Sequence, residues 1–188
     1  MAKALSGASW VAKFPTSTDT ADLVNPFRTN VEKFIAGMKA AGATITIDAT
    51  LRPKQRAYLM HWSLRIARQG YDAAKVPEMK GVDIDWMHVD SNKKINVAAT
   101  KANAEQMVQG YEIAYPPALV SRHTEGKAID MSISWTSAEL KIKDGAGKEV
   151  MIKQGAKNGS NHELHNVGRS YHVIKLIGDP PHWSSDGH

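Results

Sequence analysis

The sequence predicts an α+β fold. Apolar residues recur at helical spacing in bounded stretches, while other stretches alternate apolar and polar residues as strands do. The order of these elements makes one compact α+β domain. A chain of 188 residues is long enough to bury a core.

Residues 1–24 read as an irregular N-terminal extension with a polar loop at Thr16-Ser17-Thr18-Asp19-Thr20, and residues 25–188 as the domain proper. Asn25-Pro26 marks a helix start, with Asn25 as N-cap and Pro26 at the first helical position. Phe27, Val31, Phe34, Ile35 and Met38 form its apolar stripe, and Gly42 stops it. Ala43 to Thr50 alternates through Ile45 and Ile47, a strand. Pro53 opens a second helix that runs to Gln69 and closes at Gly70, with Tyr58, Leu59, Trp62 and Ile66 on its apolar side. Residues 71–96 are mostly loop, with a short strand within Val82 to Val89. The alanine-rich run from Val97 to Gln109 is a third helix, and Tyr115-Pro116-Pro117 ends it. Met131 to Trp135 alternates as a strand, with Asp130 at its edge. Leu140 to Ile152 is a hairpin turning at Asp144-Gly145-Ala146-Gly147. Asn161 to Arg169 is a short helix, and Tyr171 to Ile177 is the last strand, delivering Asp179 and His182 at its end.

Composition narrows the chemistry. There is no cysteine, so disulfides, thiolate metal sites and cysteine nucleophiles are excluded. A net charge of +5 suits an anionic partner surface, or simply a soluble one. Lysines and arginines are scattered rather than clustered with aromatics, which argues against a nucleic-acid partner. The first residues lack the apolar run of a signal peptide, and no stretch approaches a membrane span.

Two stretches carry the candidate chemistry. The first is Ser121-Arg122-His123-Thr124-Glu125-Gly126-Lys127-Ala128-Ile129-Asp130, and the second Asp179-Pro180-Pro181-His182-Trp183. Gly126 permits a turn or a close approach between His123 and Asp130. His182 supplies a third ligand from far along the chain. Two histidines and one carboxylate leave a tetrahedral zinc one open position. Asp179 is separated from His182 by two prolines, a rigid spacer for a carboxylate that stands beside a metal without binding it.

Ser121-x-His123, Asp130, and Asp179 three residues before His182-Trp183 together resemble the zinc D-Ala-D-Ala carboxypeptidase/dipeptidase family, and most of all its bacteriophage endolysin branch. The resemblance implies the small α+β fold shared with the hedgehog signalling domain, a central antiparallel sheet with flanking helices. It implies one Zn2+ held by His123, Asp130 and His182, with Asp179 as catalytic base. Many members carry Glu at the position of Asp179, and Asp occurs in the phage branch. The family has an arginine at the end of a matching strand, usually after an aromatic residue. Arg52 stands there, after Leu51. A guanidinium so placed polarises the scissile carbonyl, holds the oxyanion, or grips a substrate carboxylate. The expected substrate is a peptidoglycan stem peptide and the favoured bond L-alanyl-D-glutamate. D-Ala-D-Ala carboxypeptidase activity is the alternative, with Arg122, Lys127 and Arg169 as candidates to close the cleft. A non-catalytic wall-binding module is the rival from another class. The expected protein is a monomer without a separate wall-binding domain. It is made in the cytoplasm and acts on the wall in the periplasm, where an anionic envelope suits its charge.

Four further residues stay ambiguous in sequence. Ser121 either hydrogen-bonds the substrate backbone or closes the local turn. Trp183 either walls the substrate cleft or packs beside His182. His162 and His165 share a helix face as a metal pair would, and read as surface residues or as supports of a ligand.

Overall fold

The structure is a computed structural model that describes residues 3–113, 115 and 117–188. Its elements in chain order are β1 (Ala4–Leu5), α1 (Phe27–Ala40), β2 (Thr44–Ala49), α2 (Lys54–Gln69), β3 (Ile84–Asp85), α3 (Val97–Gly110), β4 (Ala128–Ser134), β5 (Leu140–Lys143), β6 (Glu149–Ile152), α4 (His162–Ser170), β7 (Ile174–Lys175) and β8 (His182–Ser184). The α+β class holds. The described residues fall into two compact units, one from Met1–Pro15 and Pro53–Val120, the other from Thr16–Arg52 and Ser121–His188. The stretch expected as one N-terminal extension is therefore divided after Pro15.

The first unit is built on α2 packed against α3. Gly70 closes α2 in the left-handed conformation expected of it, at φ 69°. The Asn96 side chain caps α3 by accepting from the Ala99 N–H at 3.0 Å. Leu59, Trp62 and Ile66 from α2 join Trp10, Trp86 and Met107 in an aromatic-rich core. β1 and β3 form a two-residue parallel pair, shorter than the strand expected within Val82 to Val89. Helix α3 ends at Gly110, ahead of the Tyr115-Pro116-Pro117 stop, of which Pro116 lies outside the described residues.

The second unit holds a four-stranded antiparallel sheet in the order β2-β4-β8-β7. Helix α1 buries the five stripe residues read from its sequence, Phe27, Val31, Phe34, Ile35 and Met38. Its cap differs from expectation, because Pro26 occupies the cap position and the Asn25 side chain accepts instead from the Thr29 hydroxyl at 2.9 Å. Asn161 caps α4 by accepting from the N–H groups of Glu163 and Leu164. The β5–β6 hairpin turns where expected, with the Asp144 carboxylate accepting from Ala146 and Lys148 N–H and Gly147 at φ 84°. The last strand is a correction. Only Ile174–Lys175 pairs, residues 176–181 turn, and His182 opens a strand of its own. Pro180 and Pro181 lack an N–H and cannot donate to a ladder.

Successive residues of β4 serve opposite faces. Ile129, Met131 and Ile133 enter the core with α1 and α4, and the intervening Asp130 and Ser132 lie on the open face. A β-bulge at Asp48 interrupts β2, so that Ile47 pairs with Met131 and Ala49 with Asp130.

Candidate metal centre

Asp130 lies within β4, directly opposite His182 on β8, and Ile129 lies opposite Trp183. Side chains directly opposite in an antiparallel pair share a face. The register therefore sets Asp130 beside His182 on the open face, and sends Trp183 into the core beneath. His123 reaches the same point from the turn before β4. That turn is closed by Glu125 N–H to Ser121 O and Lys127 N–H to Arg122 O. Gly126 sits at φ 67°, and a Cβ there would come within 3.1 Å of Asp22 O. Both the turn and the close approach expected of this glycine are present.

His123 is oriented by Thr50, the residue that follows β2. Thr50 is fully buried, its N–H donating to Ser17 O and its hydroxyl to Asp19 O. Its carbonyl accepts from His123 Nδ1 at 2.6 Å. The His123 proton is thus on Nδ1, and the Nε2 lone pair points at the centre. On the other side, His182 Nε2 donates to His188 O at 3.2 Å, leaving its Nδ1 lone pair free. His123 Nε2, His182 Nδ1 and Asp130 Oδ1 stand 3.1 Å from one another on all three sides. His123 and His182 are buried, and the Asp130 side chain is 20 % exposed.

Three lone-pair donors facing one another at hydrogen-bond distance require a cation or an added proton among them. Tetrahedral ligands about 2.0–2.1 Å from zinc stand about 3.3 Å apart, so the observed triangle fits such an ion. The group could hold a metal ion. Burial works against charge on both Asp130 and His182. For Asp130 the hydrogen bonds and charges of the two histidines outweigh burial and hold its carboxyl well below the usual range. For His182 the Asp130 carboxylate outweighs burial and raises its affinity for a proton.

Of the three, Asp130 also lines a cleft of about 460 Å3, together with Asp48, Ser132, Asn158, Pro180 and Pro181. The bulge sets Asp48 where its carboxylate accepts from the Ser132 hydroxyl at 2.7 Å. A larger hollow of about 600 Å3 in the same unit is lined by Arg122, Lys127 and Asp186 among others, and the convergent donor atoms are not in it. Asp179 is exposed in the turn before β8, and its charge adds to the proton affinity of His182. The Arg52 backbone N–H donates to His123 O at 3.1 Å, which puts that residue directly beside the ligand turn.

For two residues the structure shows which of the open alternatives is present. Trp183 packs beside His182, fully buried against Phe34 at 5.4 Å between ring centroids. Ser121 closes its own turn. Its carbonyl accepts from the Thr124 hydroxyl at 2.9 Å, and its hydroxyl from Thr124 N–H at 3.4 Å. Arg122 is held by Asp186 and Glu125, and Lys127 by Glu125. His162 is exposed. His165 is buried and donates to Gly159 O at 2.9 Å, so it supports the loop at the cleft edge rather than binding metal with its neighbour.

Sequence reasoning missed three groups. The Thr50 carbonyl and the His188 carbonyl fix the two imidazoles, and backbone atoms leave no residue-type signature. Lys175 is the third, a charged side chain buried beneath the turn that carries Asp179. Burial lowers its affinity for a proton, and the charges of Asp179 and Asp130 act the other way.

Among the described residues no helix is long and apolar enough to cross a membrane. The chain matches no protein-family model, no curated protein and no solved structure.

Proposed function

We propose that this protein is a zinc peptidase that hydrolyses a bond in the peptide stems of peptidoglycan, with L-alanyl-D-glutamate as the favoured bond. One observation carries the metal reading: His123 Nε2, His182 Nδ1 and Asp130 Oδ1 meet at 3.1 Å with each imidazole proton held on the far nitrogen. Bound there, zinc supplies a Lewis acid that polarises a carbonyl and lowers the pKa of a coordinated water. The substrate class rests on the resemblance of the two motifs, and a cleft of about 460 Å3 lies beside Asp130.

In this reading Asp179 is the general base. It stands at the end of the rigid Pro180-Pro181 spacer, takes the proton of the attacking water and returns it to the leaving amine. Arg52, beside the His123 turn, shares the charge that develops on the carbonyl oxygen.

The test is incubation with purified Gram-negative peptidoglycan, with and without a chelator, and mass spectrometry of the products. Chelator-sensitive release of stem peptides with a new N-terminal D-glutamate establishes the endopeptidase. Loss of a terminal D-alanine alone makes it a carboxypeptidase. Zinc bound without any product leaves a wall-binding module.

A further inference from the structure

Lys175 is 7 % exposed and makes no ion pair among the described residues. Its Nζ donates instead to three backbone carbonyls: Leu176 at 2.6 Å, His182 at 3.0 Å, and Asp179. An ammonium carries three N–H donors, and here each has one oxygen. Those oxygens are not arbitrary. Asp179 N–H donates to Leu176 O, His182 N–H to Asp179 O, and Leu176 N–H to His182 O. The three residues thus form a closed ring of backbone hydrogen bonds, and the ammonium occupies its hub.

Three carbonyl oxygens turned toward one point repel one another unless a cation stands there. Pro180 and Pro181 offer no N–H, so this turn has few donors of its own with which to brace itself. Lys175 Nζ also stands over the buried Trp183 ring, 5.7 Å from its centroid. Two of the three ring residues are the proposed base and a proposed metal ligand.

We propose that Lys175 is a positioning residue, whose ammonium closes a carbonyl ring that sets His182 and Asp179 relative to Asp130 and His123; this rests on the zinc-peptidase reading. A lysine fits the role and an arginine does not, since a planar guanidinium cannot point three donors into one small ring.

The chain has no cysteine, which allows a chemical rescue. Lys175→Met and Lys175→Cys are compared with Lys175→Cys alkylated, while unfolded, by 2-bromoethylamine and refolded, which restores an ammonium at nearly the native length. In metal-free protein, amide exchange at Leu176, Asp179 and His182 is expected to be at least ~10-fold faster in Lys175→Met than in wild type. Zinc affinity, read by competition with a chromophoric chelator, is expected to fall about 10–100-fold, as for other groups that orient a ligand. The visible spectrum of the cobalt(II) form is expected to change, and aminoethylation to restore all three readouts.

A folded Lys175→Met protein with wild-type exchange and wild-type zinc affinity overturns the proposal. If Lys175→Met does not fold, the Cys pair decides. Recovery on aminoethylation supports the ring, and no difference between alkylated and unalkylated protein overturns it. Wild-type protein that binds no zinc sinks the metal-centre reading alone, and amide exchange then still decides the ring.

Discussion

The two faces of β4 share one backbone and differ in nearly everything else. Toward α1 and α4, Ile129, Met131 and Ile133 are at most 5 % exposed and pack with Trp183 from β8. On the opposite face Asp130 meets His182, and Ser132 meets Asp48, beside an open cleft. The division runs between adjacent residues, His182 up and Trp183 down. The core face is held by bulk and is indifferent to protons. The open face is held by charge, and each of its buried polar atoms needs a specific partner. The sheet that sets Asp130 beside His182 gains its rigidity from the core face.

Substitutions on adjacent residues break this contrast most sharply. Trp183→Ala is expected to cost about 3–5 kcal/mol of folding stability, since it opens a cavity under the sheet. His182→Ala is expected to abolish zinc binding while shifting the metal-free unfolding midpoint far less. Denaturant melts with and without chelator, together with zinc titrations, compare the two directly. Next comes Asp179→Ala, which is expected to keep zinc affinity and lower kcat by about 10²–10⁴-fold. Joint loss of metal and activity would show that Asp179 is a ligand.

Acidity separates the faces more gently. The pKa of Asp130 is lowered from 3.8 and that of His182 raised from 6.5. A lowered carboxylate contributes stability that is present above its unfolded value and lost as pH falls through the folded one. A raised imidazole contributes stability that is full below its unfolded value and lost as pH rises through the folded one. Metal-free protein is therefore expected to draw most from this pair between the two ordinary values. Zinc affinity runs the opposite way. In the proposed reading it is expected to fall as pH drops through the raised His182 value, so that release begins at higher pH than an unperturbed histidine would give. Melts and metal content measured across pH 4–8 check both signs. At the small end, Ser132→Ala is expected to change stability by no more than ~0.5 kcal/mol and to leave zinc affinity unaltered.

Much of this was legible in the residues. The α1 stripe, the Gly70 stop, the Asn161 cap and the Asp144 turn are local signals, and local physics decides them. His123, Asp130 and His182 were legible as a set chiefly through the resemblance of the two motifs that carry them, and the fold brings their donor atoms together. What escaped was parity and partnership. β8 is three residues long between two prolines and a polar tail, too short to show alternation. Had His182-Trp183 been read as a strand, the burial of Trp183 would have followed at once. Lys175 has no local mark, because what makes it special is three carbonyls that belong to its neighbours. Thr50 orients His123 across a separation of 73 positions, which no spacing rule could reveal.

The chain passes between its two compact units three times, after Pro15, after Arg52 and after Val120. A protease that cuts once at any of these crossings releases neither unit as a separate chain, since the backbone still joins them at the other two. Severed between Arg52 and Pro53, the protein becomes two fragments that each hold part of both cores. The later fragment carries all three metal donors, and the earlier one carries the Thr50 carbonyl that aims His123. Metal capture at the three donor atoms would then report reassembly of the two fragments.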